Sequence, residues 1–213
     1  MKITKLSAET LENKLCSRPL PGASAQAIME HAERKKQIAL NRLTPIAHKS
    51  AAVLVLLYPH AAQWHVALIV RPEYDGAHSG QIAFPGGGVE KDDANFEATA
   101  LRETQEEIGV AASEIKVLRA LTALYIPVSN FMVYPFVGIA AAQPVFTKDP
   151  KEVVEILEVP LSHFANKKNK SFANLDIGRG IQLANVPHYT IDNHILWGAT
   201  AMMLAELMAM IEA

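Results

Sequence analysis

Glu103, Glu106 and Glu107 stand at positions i, i+3 and i+4, directly behind Arg102 and shortly after the consecutive glycines Gly86, Gly87 and Gly88. On an α-helix that spacing places the carboxylates on one face. Like charges one turn apart repel by roughly a few tenths of a kcal/mol per pair even when exposed. A cation relieves the repulsion, and carboxylate oxygens are the donors a hard divalent ion such as Mg²⁺ prefers. A solvated acidic helix face accounts for Glu106 and Glu107 alone. It does not account for Phe84-Pro85-Gly86-Gly87 upstream, the Arg102-Glu103 pair and the Gly109 stop occurring together.

The stretch 84–110 resembles the Nudix box, G-x5-E-x7-R-E-U-x-E-E-x-G-U, where U is aliphatic. Arg102-Glu103, Glu106-Glu107 and Gly109-Val110 match it. Counted from Gly88, the first glutamate position falls on Ala94. Counted from Gly87 it falls on Asp93, with one extra residue before Arg102, and this register keeps a carboxylate there. Thr104 stands where an aliphatic residue is usual. The likeness reaches beyond the box, to the coenzyme A diphosphatase branch. Leu20-Pro21-Gly22 with Ala25-Gln26 and Met29 is similar to its entry segment, His78 to Gly87 to its signature with Arg71 and Gly80 in place, and Ile195 to Ala201 to its W-G-x-T-A tail. Ile69, Pro72 and Gly76 depart from the signature, Gly76 standing in place of its second arginine.

The resemblance implies hydrolysis of a diphosphate joined to a nucleoside, with in-line attack of water on phosphorus. The implied substrate is coenzyme A or a thioester of it, cut to 3′,5′-ADP and 4′-phosphopantetheine or its acylated form. ADP-ribose, a dinucleotide or another nucleotide derivative is the enzymatic alternative. A nucleotide-binding protein without turnover is the other, and it has no need of all three box glutamates. The resemblance further implies Mg²⁺ or Mn²⁺ on Glu103, Glu106 and Glu107, beside the Gly87 backbone. Catalytic roles fall to Glu103 and Glu106, to Arg102 as the orienting guanidinium, and to Glu152 as a further metal ligand or water-orienting group, with an exposed loop carboxylate the equal alternative. Substrate contacts fall to Arg71, Tyr74, His78 and Gln81, where packing or turn-capping roles stay open.

Elements must bring these residues together. Ser7 caps a first helix carrying Leu11 and Leu15, and a second helix is expected over 25–39. Apolar runs at 51–58 and 64–71 read as strands joined by the loop 59–63, and 82–84 as a brief extended piece before a glycine turn. The box helix is expected from Asp92 or Asp93 to Ile108, with Leu101, Thr104 and Ile108 inward. Strands follow at 117–124, 131–140 and 153–159, a short helix from Pro160, a polar loop at 166–170, a hairpin of 181–186 with 188–191, and a last helix over 197–211. This order gives a mixed sheet between helices, the Nudix-type α/β/α sandwich. Residues 1–213 read as a single domain with a helical N-terminal extension, 1–48, and the box region at 84–110.

Composition narrows the partners. A net charge of −2 without a long basic run disfavours nucleic acid. The lone Cys16 permits no internal disulfide and suits a reducing, cytoplasmic setting. Residues 1–14 lack a signal-peptide core, and no apolar run is long enough to span a bilayer. No histidine pair has zinc spacing, and His194 reads as structural. Met202, Met203, Met208 and Met210 read as core or dimer-contact residues, so a homodimer is compatible with the chain.

Overall fold

Strand β1 (Lys49–His60) is the axis of the fold. Side chains alternate across a strand, and both of its faces are buried. Ala52, Leu54, Leu56 and Tyr58 enter one core, while Ala51, Val55 and Leu57 enter the other. In this computed structural model residues 3, 6–41, 47–74, 78–177 and 180–213 are described.

β1 pairs parallel with β7 (Phe131–Ala140) and antiparallel with β2 (Gln63–Val70), so the sheet is mixed. The β1–β2 connection is only Ala61-Ala62, both at positive φ, a tight hairpin where a five-residue loop was expected. The two strands pair only from Leu57–Val66 to His60–Gln63. Beyond that they part. β8 (Glu155–Pro160) occupies the far edge of β2, so β3 (Ile82–Ala83), bonded to Ile69 and Val70, lies on the β1 side. β4 (Gly86–Gly88) pairs with Ala51, Ala52 and Val53. The glycines expected to make a turn are thus a strand threaded into the opening between β1 and β2. β5 (Ile115–Ala120) and β6 (Leu124–Ile126) complete the sheet against β7.

Helix α4 (Phe96–Ile108) covers one face, burying Ala100 and Ile108 against Leu54, Leu56 and Tyr58. On the other face lie α1 (Ala8–Ser17), capped by Ser7, and the C-terminal helix. The expected helix over 25–39 is broken. It becomes α2 (Ala23–Gln26), a 3₁₀ turn and α3 (Ala32–Asn41), because Glu30 is extended between them. α5 (Leu161–Ala165) follows β8 as expected. The polar loop at 166–170 runs straight into an unanticipated strand, β9 (Lys170–Asp176). The expected hairpin of 181–186 with 188–191 is one continuous strand, β10 (Gln182–Ile191), whose bulge between Leu183 and Val186 absorbs the irregular pattern. β9 and β11 (His194–Trp197) flank it. α6 (Gly198–Glu212) buries Met202, Met203, Met208 and Met210 in the core of this chain. The architecture is an α/β/α sandwich around a mixed sheet. No described helix is long and apolar enough to cross a membrane.

Candidate active site

Asn95, not Asp92 or Asp93, caps α4, its side chain accepting from the Ala98 amide at 2.9 Å. Asp93 has a different task. Its carboxylate accepts from the Glu90 amide at 2.9 Å, from Thr99 Oγ1 at 2.8 Å, and from Arg102 through Nε at 3.0 Å and Nη2 at 3.1 Å. Arg102 holds this carboxyl well below the usual carboxylate range. The register counted from Gly87 thus places its carboxylate, Asp93, on Arg102. The guanidinium also donates to the Gly88 carbonyl at 3.1 Å and pairs with Glu106 at 2.8 Å and Glu103 at 3.0 Å. One side chain thus ties the inserted strand, the loop before the helix and the helix itself.

Glu107 points inward from α4 and is 2% exposed. The Gly86 amide donates to it at 2.8 Å, yet burial pushes its carboxyl up to about 7. Burial raises Glu103 as well, against the opposing pull of Arg102. Gly87 makes room for it: a Cβ there would lie 2.5–2.6 Å from the Glu103 carboxylate. Glu152 arrives from the loop after β7, and Glu103, Glu107 and Glu152 each bring a carboxylate oxygen within 4.8 Å of the others. Glu106 is not part of this cluster. Its side chain is 55% exposed and paired with Arg102. Neighbouring helix residues are about 100° apart, so Glu106 and Glu107 straddle the face that Glu103 bisects. Of the expected ligands Glu103, Glu106 and Glu107, the structure groups Glu103 and Glu107 with Glu152 and places Glu106 against Arg102.

The cleft facing these carboxylates has a volume of about 370 Å³ and is also lined by Arg71, Tyr74 and Lys151. The Nε of Arg71 is buried without a hydrogen-bond partner. Lys151 was missed in the sequence. Its only signal was a cation next to a candidate carboxylate. His78 and Gln81 do not line the cleft. The His78 ring bridges Gln81 Oε1 at 3.1 Å and Ser129 Oγ at 3.0 Å, so both of its nitrogens are engaged within the protein. Its residue adopts φ +73, and burial lowers its pKa. His78 and Gln81 thus hold the loop together, the turn-capping role that stood as the alternative to a substrate contact. Gly76, the departure from the signature arginine, lies outside the described residues.

The donors fit a hard divalent cation. They are all oxygen, they crowd like charges that a bound cation would relieve, and a glycine leaves the space beside them open.

A family model described as the NUDIX domain matches residues 48–176. An uncharacterized Nudix hydrolase, NudL, of Pectobacterium atrosepticum is 38% identical over 161 residues, taking in 75% of this chain and 81% of that protein. A NudL of Photorhabdus laumondii is 36% identical over 131 residues, 62% of this chain and 68% of the relative. Among solved structures, a Nudix hydrolase from M. smegmatis, RenU, superposes with a TM-score of 0.47 at 21% identity, covering 55% of this chain and 74% of that one.

Proposed function

The chain belongs to the Nudix hydrolase family, whose members cut phosphoric anhydride bonds, and from that premise we propose that it is a metal-dependent coenzyme A diphosphatase. It splits coenzyme A or a thioester of it into 3′,5′-ADP and the corresponding 4′-phosphopantetheine. The observation that carries the reading is the carboxylate cluster of Glu103, Glu107 and Glu152 facing a cleft that also holds Arg71 and Lys151. Anion-binding cations and cation-binding anions in one cleft suit a diphosphate brought in with a divalent ion. Support for coenzyme A comes from the segments around Leu20–Met29, Arg71–Gly87 and Ile195–Ala201.

Glu103, Glu107 and Glu152 would hold Mg²⁺ or Mn²⁺, which when bound neutralises diphosphate charge and acidifies water. Arg102 orients Glu103 through the fixed fork of its guanidinium. The Gly86 amide fixes the direction of Glu107. Arg71 and Lys151, which line the cleft, bind phosphate oxygens, and Tyr74 offers a ring to the nucleoside. Glu106 keeps Arg102 in place from the solvent side. Residues 1–213 act as one unit with 1–48 as a helical extension, in a reducing cytoplasm that the lone Cys16 supports.

The test is a panel of coenzyme A, acyl-coenzyme A, 3′-dephospho-coenzyme A, ADP-ribose and dinucleotides with Mg²⁺ or Mn²⁺, products identified by mass. Coenzyme A or a thioester should have the highest kcat/KM, and excess EDTA should abolish turnover. ADP-ribose or a dinucleotide ahead by about tenfold, equal to about 1.4 kcal/mol in the barrier, would overturn the coenzyme A assignment.

A further inference from the structure

We propose that Asp149 is a positioning residue that sets Glu152 into line with Glu103 and Glu107, by means of a turn docked on the last carbonyls of α4. The inference rests on the metal-dependent reading above. A helix end leaves carbonyls without intrahelical partners. Here Gly109 closes α4 in the left-handed region at φ +75, its amide bonded to Gln105. The carbonyls of Glu107 and Ile108 are then met from outside, by the amides of Asp149 and Thr147, both at 3.0 Å. The loop is therefore keyed to the backbone of the residue whose carboxylate lies in the cluster.

From Asp149 the chain folds back on itself. Asp149 Oδ1 accepts from the Lys151 amide at 2.8 Å, an Asx-type turn. The Asp149 carbonyl accepts from the Glu152 amide at 3.2 Å and the Val153 amide at 2.9 Å. Pro150 fixes one dihedral within the turn. Val153 is fully buried in the core beside α4, and the Val154 amide donates to the Val70 carbonyl at 2.9 Å, so the far end is anchored too. Among the described residues no hydrogen bond holds the Glu152 carboxylate itself. Its direction comes from the backbone on either side, which the Asp149 side chain holds through the Lys151 amide and the Lys148 side chain holds through the Val154 carbonyl. A carboxylate near a cation site could instead act by charge. The geometry argues for shape, because Asp149 Oδ1 is committed to the Lys151 amide and Asp149 does not line the cleft.

Shape and charge separate cleanly in two substitutions. Asp149→Asn keeps the acceptor and loses the charge, while Asp149→Glu keeps the charge and misplaces the acceptor by a methylene. Mn²⁺ binding to the protein without substrate is followed by the loss of the free-ion electron paramagnetic resonance signal, with thermal melts as the folding control. Asp149→Glu and Asp149→Ala should weaken Mn²⁺ binding by about 10–100-fold, as lost supporting contacts at metal sites do. Asp149→Asn should stay close to wild type. Glu152→Gln should weaken binding comparably, and Asp149→Glu should add little on that background, because residues acting through one another are not additive. Should Asp149→Ala fail to fold, the Asn and Glu pair carries the test. The reverse order, Glu retained and Asn lost, overturns the positioning role in favour of charge. Wild-type affinity in Asp149→Glu beside a weakened Glu152→Gln overturns it while the metal reading stands. A wild-type protein that takes up no Mn²⁺ overturns both.

Discussion

At the residue scale, Glu107 carries the sharpest electrostatic consequence. Burial holds its carboxyl up to about 7 in the folded chain, against an ordinary value near 4.5. Between those values the folded state binds more protons than the unfolded state, so stability falls as pH rises. The contribution is fully present below about pH 4.5 and lost by about pH 7. In metal-free protein the Tm should decline across that window more steeply than in Glu107→Gln, which cannot lose a proton there. Added Mn²⁺ should restore the wild-type Tm at pH 7 and do little for the variant. Identical pH profiles for the two metal-free proteins would show that Glu107 is solvated rather than buried. The neighbouring Glu106 should behave differently. It is exposed and bonded to Arg102, so Glu106→Gln should lower kcat far less than Glu107→Gln, assayed side by side at limiting metal. Equal, orders-of-magnitude losses would put Glu106 among the ligands.

At the element scale, the site depends on a glycine strand threaded into a parted sheet. Gly87 lies opposite Glu103, and an alanine Cβ would sit 2.5 Å from Glu103 Oε1, so the carboxylate would have to move. Gly87→Ala should therefore displace Glu103 from the cluster and lower kcat by about 10²-fold, the cost of a misplacement near 1 Å, while the Tm moves little. Near-wild-type kcat would mean that the carboxylate yields freely. None of this threading was legible in the sequence, where three glycines after a proline read as a turn. Local signals report on local conformation, whereas β4 exists only because β1 and β2 diverge. The same limit hid β9, a mostly exposed strand whose pattern Lys170–Asp176 has little apolar alternation and which is held by pairing with β10. It also hid the break at Glu30, in a segment of good helix formers. Elements with strong intrinsic signals were legible: α1 with its Ser7 cap, β1 and β7 with their apolar runs, α4 with Gly109 at its end. Within the site, the shared face of Glu103 and Glu107 could be read from helical spacing, while the orienting role of Arg102 came from the resemblance to the Nudix box. The chosen register kept a carboxylate at Asp93 but did not foresee its pairing with Arg102, and Glu152, named through the resemblance, reaches the cluster only by a contact from a loop 45 or more residues later.

At the scale of the whole molecule, a fully buried carboxylate on α6 joins segments that are far apart in the chain. Glu206 accepts from the Gly22 amide at 3.2 Å, from Gln26 Nε2 at 2.9 Å, and from Thr122 through its amide at 3.3 Å and its hydroxyl at 2.6 Å. It passed unnoticed in the sequence as one polar residue in an apolar helix. Its partners include Gly22 and Gln26, from the entry segment that is similar to the coenzyme A diphosphatase branch. Thr200, from the similar tail, donates through its hydroxyl to the Ile82 carbonyl beside the inserted strand. Much of the likeness outside the box therefore falls on residues that lock α6, the N-terminal segment and the sheet together, rather than on the cleft. Glu206→Ala leaves one buried and several half-buried donors without this partner, and a buried donor left unpaired costs about 1–3 kcal/mol. Denaturant unfolding should show a loss of a few kcal/mol, with Glu206→Gln, which keeps one acceptor, between it and wild type. Because the cleft residues are untouched, the ratio of kcat/KM for coenzyme A over its 3′-dephospho form should not change in either variant. A changed ratio without loss of stability would place Glu206 and its partners in substrate recognition, and the entry segment would then bear on specificity instead of architecture.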